Sequence, residues 1–398
     1  MIDKRQQVAF YAPLKSPTHP VPSGDRRMAL ALIEALERGG KQVELASRLR
    51  SFDRNGDLKR QQRIEKLGGK MADRLIQRYR SRSLDRRPEA WITYHAYHKS
   101  PDWLGPAVRQ ALNIPYLLIE ASFAQKQAGG PWDLGHRAAE ASIRLADVTL
   151  AMTKQDQSGL APLITPPASL RRLPPFLAAK PFQEAYQARA RHRRDLCLRF
   201  GLQPDQPWLL TVGMMRDDVK RHSYALLADA LQYLHHKPWQ LFIIGDGPAR
   251  SLIENLFAGF GSERVKMAGI LGQAELPACY AAADVYAWPA VREAYGVAFL
   301  EAQAAGLPVV AGLEGGVGDV VQDGLTGLLT APRDPKALAL AIADLLDHPA
   351  KRQAMSKAGL AWIDRERSLE RAAVRLTDAL EDAKSILNAK IERRRVSQ

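Results

Sequence analysis

Cysteine is almost absent: Cys197 and Cys279 are the only two among 398 residues. Two thiols cannot build a disulfide framework or a four-ligand zinc site, and without a Cys-x-x-Cys pair there is no redox signature. Long apolar runs are missing as well. The best stretch, Tyr295 to Leu313, is interrupted by Glu301, Gly306 and Pro308 and falls short of the roughly 20 apolar residues that span a bilayer. Near the N-terminus, Val8 to Pro13 is too short for a secretory core and is followed by Lys15 instead of a small-residue cleavage site. These absences lead to the expectation of a cytoplasmic chain, soluble or peripheral on the inner face of a membrane.

Positive charge is in excess, and it is unevenly placed. Residues 1–200 carry 35 basic against 19 acidic side chains, and the remaining 198 carry 22 against 24. Such asymmetry points to an acidic partner of the N-terminal half, either nucleic acid or anionic lipid. A nucleic-acid binder would interleave stacking aromatics with its cations, yet Arg48 to Arg87 holds only Phe52 and Tyr79, so no nucleic acid is expected. Within that stretch Arg60, Arg63, Lys66, Lys70, Arg74 and Arg78 recur every three or four residues. Ile64, Leu67, Met71 and Leu75 recur beside them. This is a basic amphipathic helix, either packed on a sheet with a solvated basic side or bound to a polyanionic surface.

Elsewhere β-prone and helix-like stretches alternate. Strands are expected at Gln7 to Tyr11, Ala90 to Tyr94, Pro115 to Ile119 and Asp147 to Met152, with helices at Arg26 to Arg38, Arg60 to Tyr79 and Leu104 to Leu112. Paired prolines at Leu173-Pro-Pro-Phe176 mark a linker, after which a basic helix from Tyr186 to Phe200 opens a second series. Its strands are expected at Trp208 to Val212, Gln240 to Gly245, Val265 to Ala268, Val285 to Trp288 and Pro308 to Ala311. The reading is α/β, with two Rossmann-like domains at 1–182 and 183–368 and a C-terminal helix at 369–398 returning towards the first.

Several loops could carry chemistry. A strand ends at Trp288 and a helix begins near Gly296, so Glu293 and the N–H groups of Tyr295, Gly296 and Val297 would face the crevice at the strand ends, while Glu301 follows on the helix. As two carboxylates alone, Glu293 and Glu301 read as a helix cap and a residue on a solvated face, and it is the surrounding sequence that favours the crevice. After Gly213, which permits close backbone approach, Arg216 and Lys220 can reach a diphosphate, or can simply pair with Asp217 and Asp218. Gly245 and Gly247 form a turn that could pass under a nucleotide, and Gly312 to Val321 is a Gly-rich helix opening suited to an anion or to a plain turn. In the first half, His95 and His98 follow a strand, match no metal spacing, and could contact a substrate hydroxyl or phosphate; Gly24, Asp25 and Arg26 form a loop on the same side.

Taken in order, Val212-Gly213, Lys220, Ile244-Gly-Asp-Gly-Pro248, Gly269, Ala283-Asp-Val285, Glu293 to Glu301, Gly306-Leu-Pro-Val-Val310, Gly315-Gly316, Asp323-Gly324 and Thr326-Gly-Leu328 resemble glycosyltransferase family 4. The resemblance implies a GT-B fold, with two Rossmann-like doubly wound parallel-sheet domains facing across a cleft. It implies retaining transfer of a sugar from a UDP- or GDP-sugar, as a substrate, to a glycan or lipid-linked acceptor, with neither metal nor cofactor. By position Glu293 would hold donor-sugar hydroxyls, Glu301 the ribose and Lys220 the diphosphate, with N–H groups near Tyr295 and Gly296 on oxygens. Met214 stands where the family has arginine, so Arg216 is assigned that role. Asp319 replaces a glutamate, and Glu120-Ala-Ser122 replaces a histidine motif, leaving His95 and His98 as the N-terminal candidates. A GT-B nucleotide-sugar epimerase and a non-catalytic nucleotide-sugar or polyanion binder are the alternatives.

Overall fold

The computed structural model describes residues 6–21 and 23–396, apart from the side chains of residues 394 and 396. The chain forms two units, one from the chain up to Pro174 and again from Leu369 onward, the other from Pro175 to Ser368. The division falls inside the proline pair, eight residues before the expected 182/183 boundary. Residues beyond it already belong to the second unit, where Phe182 packs edge-on against Tyr280 with ring centroids 5.8 Å apart.

The first unit is built on six parallel strands: β1 (Gln6–Tyr11), β2 (Lys41–Ser47), β3 (Ala90–Tyr94), β4 (Tyr116–Ile119), β5 (Val148–Ala151) and β6 (Leu170–Arg172), in the order β2-β1-β3-β4-β5-β6. The central strands carry the core, with Tyr11, Trp91, Tyr116 and Leu118 buried together. Chain direction across the sheet reverses between β1 and β3, which makes their carboxyl ends the crevice of an open α/β sheet. The helix Leu369–Val396 packs on the helix Gly24–Arg38, and its Lys390 reaches the buried carboxylate of Asp147 at 2.9 Å.

The basic helix runs from Leu58 to Arg80, but its buried side differs from the one its leucines suggest. Gln61, Gly68, Ala72, Leu75 and Tyr79 face inward, whereas Leu67 is 47% exposed among the cations. Gly68 sets this rotation, because a Cβ there would stand 2.4 Å from that of Trp103. Arg63, Lys66, Lys70 and Arg74 are all exposed.

The second unit repeats the plan with β7 (Trp208–Val212), β8 (Gln240–Ile244), β9 (Val265–Gly269), β10 (Val285–Trp288), β11 (Val309–Gly312) and β12 (Gly327–Thr330), ordered β12-β11-β10-β7-β8-β9 and parallel throughout. Here the reversal lies between β7 and β10. The basic run expected as one helix is two, Lys180–Gln187 and Arg189–Phe200. Arg189 and Arg193 both pair with Asp284, at 2.8 and 3.0 Å, and donate to the carbonyls ending the helix Leu276–Ala282, so part of the N-terminal charge excess is internal structure. Among the described residues no helix is long and apolar enough to cross a membrane.

Candidate active site

At the reversal point of the second sheet the loops after β7 and β10 lie side by side, and they bring Lys220 and Glu293 together. The Lys220 ammonium donates to Glu293 Oε2 at 2.5 Å, with both side chains about four-fifths buried. The same ammonium lies 5.3 Å from the centroid of the Trp288 ring, whose other neighbour is Tyr224, packed edge-on. Tyr224 in turn donates to the Gly213 carbonyl at 3.0 Å. Asp218 caps the helix Val219–Gln232 by accepting from the Lys220 N–H at 2.8 Å, which fixes where that lysine leaves the backbone. One turn on, Ser223 accepts from the Val291 N–H at 3.1 Å and ties the Glu293 loop to the same helix.

The glycines around this pair are required by close backbone packing. A Cβ on Gly245, at φ 146°, would meet the Gly213 carbonyl oxygen at 1.9 Å, and one on Gly247 that of Met215 at 2.3 Å. The Gly-rich turn after β11 has the same role, since Cβ atoms on Gly312 and Gly315 would strike the carbonyl oxygens of Pro289 and Glu293 at 2.3 and 2.0 Å. Its backbone supports the Glu293 loop, with the Gly316 N–H donating to the Ala294 carbonyl at 2.7 Å. Gly296, at φ 76°, leads into the helix Val297–Ala304, whose first N–H groups have no intrahelical acceptor. Tyr295 beside it is buried.

Two further expected participants are engaged with other side chains. Arg216 is half-exposed and its Nε pairs with Asp218 at 3.1 Å. Glu301 is only 4% exposed and accepts from the Tyr280 hydroxyl at 2.8 Å inside the unit, an engagement that helical position alone does not reveal. Among the described residues no trio of His, Cys, Asp or Glu is grouped to hold a metal ion.

In the first unit the reversal point gathers a different chemistry. His95 follows β3 at φ 59° and Glu120 follows β4 at φ 54°, both in the left-handed region. His95 Nδ1 lies 3.0 Å from Asp25 Oδ1 and 3.8 Å from Glu120 Oε1. Asp25 sits in the first turn of the helix Gly24–Arg38, capped by Ser23, and the space beside Gly24 is open. Burial opposes a charge on His95, but the Glu120 and Asp25 carboxylates outweigh it and raise its pKa to about 9. Burial likewise raises Glu120 to about 7, against the pull of His95. His95 is therefore an imidazolium at neutral pH, and Glu120 is the group poised to exchange a proton there. His98 is separated from this cluster by the Tyr97 ring, which lies 5.4 Å from the His95 ring and 5.1 Å from that of His98. Burial, helped by Lys99, lowers the His98 pKa to about 4.

A pH dependence follows, with its sign. His95 and Glu120 both bind protons more tightly folded than unfolded, so stability is expected to fall as pH rises from about 4.5 to 7 through Glu120 and from about 6.5 to 9 through His95. Asp25, whose pKa is lowered despite its burial by the His95 hydrogen bond, works oppositely and loses its contribution as pH falls below 3.8. In an NMR titration the His95 ring should change protonation near pH 9, and Glu120→Gln should bring that midpoint down by a unit or more. A His95 midpoint near 6.5 in both proteins would dissolve the cluster.

Residues 206–348 match the family model described as glycosyl transferases group 1. A GDP-mannose-dependent alpha-(1-6)-phosphatidylinositol monomannoside mannosyltransferase of Mycolicibacterium smegmatis is 34% identical over 227 residues, 54% of this chain and 57% of that protein. The enzyme of the same name from Mycobacterium tuberculosis is 33% identical over 244 residues, 59% of this chain and 61% of that protein. The match thus spans less than two thirds of these relatives' length. In fold, sucrose-phosphate synthase from Thermosynechococcus elongatus superposes with a TM-score of 0.71 over 96% of this chain and all of that one, at 23% identity. The fold is that of the GT-B glycosyltransferases. The similarity to the glycosyl transferases group 1 family thus rests on residues 206–348, which hold the whole of the second sheet.

Proposed function

We propose that this chain is a retaining glycosyltransferase that moves a sugar from a nucleotide-diphosphate donor to a lipid-linked acceptor without a metal ion. The observation that carries this reading is the Lys220–Glu293 pair, closed to 2.5 Å at the reversal point of a sheet that lies within the residues matching the glycosyl transferases group 1 model. The bond that breaks joins the anomeric carbon to the diphosphate, and the acceptor hydroxyl oxygen forms the new one. Negative charge grows on the leaving diphosphate, where a lysine ammonium already fixed in place stabilises it without having to reorganise. Glu293, beside that cation, is suited to accept hydrogen bonds from sugar hydroxyls and so to hold the anomeric carbon in register.

The names of two relatives supply the donor and acceptor to try first, GDP-mannose and a phosphatidylinositol mannoside. Full-length protein should convert these to a longer glycolipid with equimolar GDP release, the new linkage keeping the α configuration of the donor by NMR. Nucleotide release without lipid product, or an inverted linkage, would contradict the reading.

The first unit supports the lipid side of the proposal. The helix Leu58–Arg80 exposes Arg63, Lys66, Lys70 and Arg74, with Leu67 among them. At roughly 1 kcal/mol for each basic residue near an anionic surface, these give reversible attachment that salt releases. In sedimentation with vesicles, the wild type should bind phosphatidylserine-containing but not pure phosphatidylcholine membranes at low salt. A Lys66→Glu/Lys70→Glu/Arg74→Glu variant should lose at least tenfold in vesicle affinity; equal binding by the two proteins would assign the membrane contact elsewhere.

A further inference from the structure

Among the described residues of the second unit, three that are not glycine hold positive φ: Ala290 at 61°, Arg292 at 49° and Arg333 at 58°. A left-handed residue with a Cβ costs about 1–2 kcal/mol and persists where its surroundings enforce it. Two of the three, Ala290 and Arg292, lie within three residues before Glu293, and Arg292 and Arg333 both act on one side chain, Glu314. Arg333 grips the Glu314 carboxylate with both arms, Nη2 to Oε1 at 2.9 Å and Nε to Oε2 at 3.4 Å. The position of Arg333 is itself fixed, because the next residue, Asp334, caps the helix Pro335–Asp347 by accepting from the Ala337 N–H at 2.9 Å. Besides Arg333, which has the largest effect, the backbone N–H of Arg292 acts on the same carboxyl and helps to hold it below the usual carboxylate range. Glu314 stands between Gly312 and Gly315, the two glycines whose close packing supports the backbone of Pro289 and Glu293.

We propose that Glu314, anchored by Arg333, is a positioning residue that accepts from the Arg292 N–H, maintains the left-handed turn there, and so sets Glu293 opposite Lys220. Neither Glu314 nor Arg333 touches the Lys220 ammonium. The consequence for turnover rests on the glycosyl transfer proposed above; the consequence for the loop does not.

The test is hydrogen exchange on the full chain, resolved to residues 290–296, with kinetics alongside. In Glu314→Ala these amides should exchange at least tenfold faster while those of β7 and β10 are unchanged. Arg333→Ala should produce most of that effect, and the double variant no more than Glu314→Ala alone, because the two residues form one device. Glu314→Gln keeps an acceptor for the Arg292 N–H and should lie between, which also preserves the test should the alanine variant fold poorly. With donor and acceptor supplied, kcat should fall about tenfold with donor KM within twofold, as expected when geometry, not donor binding, is lost. Unchanged exchange at 290–296 in folded Glu314→Ala overturns the proposal. A wild type that transfers no sugar overturns the function proposed above and leaves the exchange result to decide the role of Glu314.

Discussion

Glu293→Gln is expected to lower kcat by about 10²–10³-fold, the scale on which removal of one preorganised electrostatic contact acts. Glutamine keeps the shape and two hydrogen-bonding atoms but removes the charge that orders the Lys220 ammonium 2.5 Å away. The loop backbone should stay in place, because Gly312, Gly315 and the Ser223 hydroxyl hold it from outside the carboxylate. The melting temperature should therefore change by no more than about 1 °C, a shift worth about 1 kcal/mol in a chain of this size. Wild-type turnover in a folded Glu293→Gln protein would remove this carboxylate from the reaction.

Lys220→Ala should weaken nucleoside diphosphate binding by about 10–100-fold, since a charge-assisted hydrogen bond contributes roughly 1.5–3 kcal/mol. Turnover should fall as well, because the cation meets more negative charge on the departing diphosphate than on the intact donor. Arg216→Ala is expected to cost less than about threefold in either quantity. Its guanidinium is half-exposed and already paired with Asp218, an arrangement of low energetic weight. Equal losses in the two variants, measured by calorimetry with GDP and UDP, would give Arg216 a share in the site equal to that of Lys220.

The strands buried on both faces are legible in the sequence, as is β9 at one edge of the second sheet. Every interior strand declares itself by a continuous apolar run, Ala90–Tyr94 and Trp208–Val212 within a residue of their ends. The strands that do not are β2, β6 and β12, all at sheet edges, where one side meets solvent and Lys41, Glu44, Arg171 and Arg172 interrupt the pattern. The basic helix is legible as a helix, but its inward face is not, because the residue that decides it, Gly68, is apolar by default and matters through Trp103, 35 positions away.

The site divides in the same way. Lys220 and Glu293 stand out because each follows a strand end in a recognisable pattern, whereas their pairing depends on β7 and β10 being neighbours across 73 residues. His95 draws attention as a histidine and suggests a base. Its raised pKa is set by Glu120 and Asp25, side chains 25 and 70 residues away that only the β1–β3–β4 adjacency brings close. Ser223 and Glu314 carry no signal of their own in the sequence, since a serine inside a helix and a glutamate in a turn are ordinary there.

Nucleotide-dependent thermal stability of the full chain, wild type against Lys220→Ala, tests the central claim most directly. At 100 times its dissociation constant a ligand that binds only the folded state adds about 2.7 kcal/mol, enough to raise the melting temperature by several degrees. One of GDP, UDP or ADP should do so for the wild type, with GDP first in line, and should do so far less for Lys220→Ala at the same concentration. No stabilisation by any nucleoside diphosphate, or equal stabilisation of the two proteins, would contradict a donor site at Lys220 and Glu293.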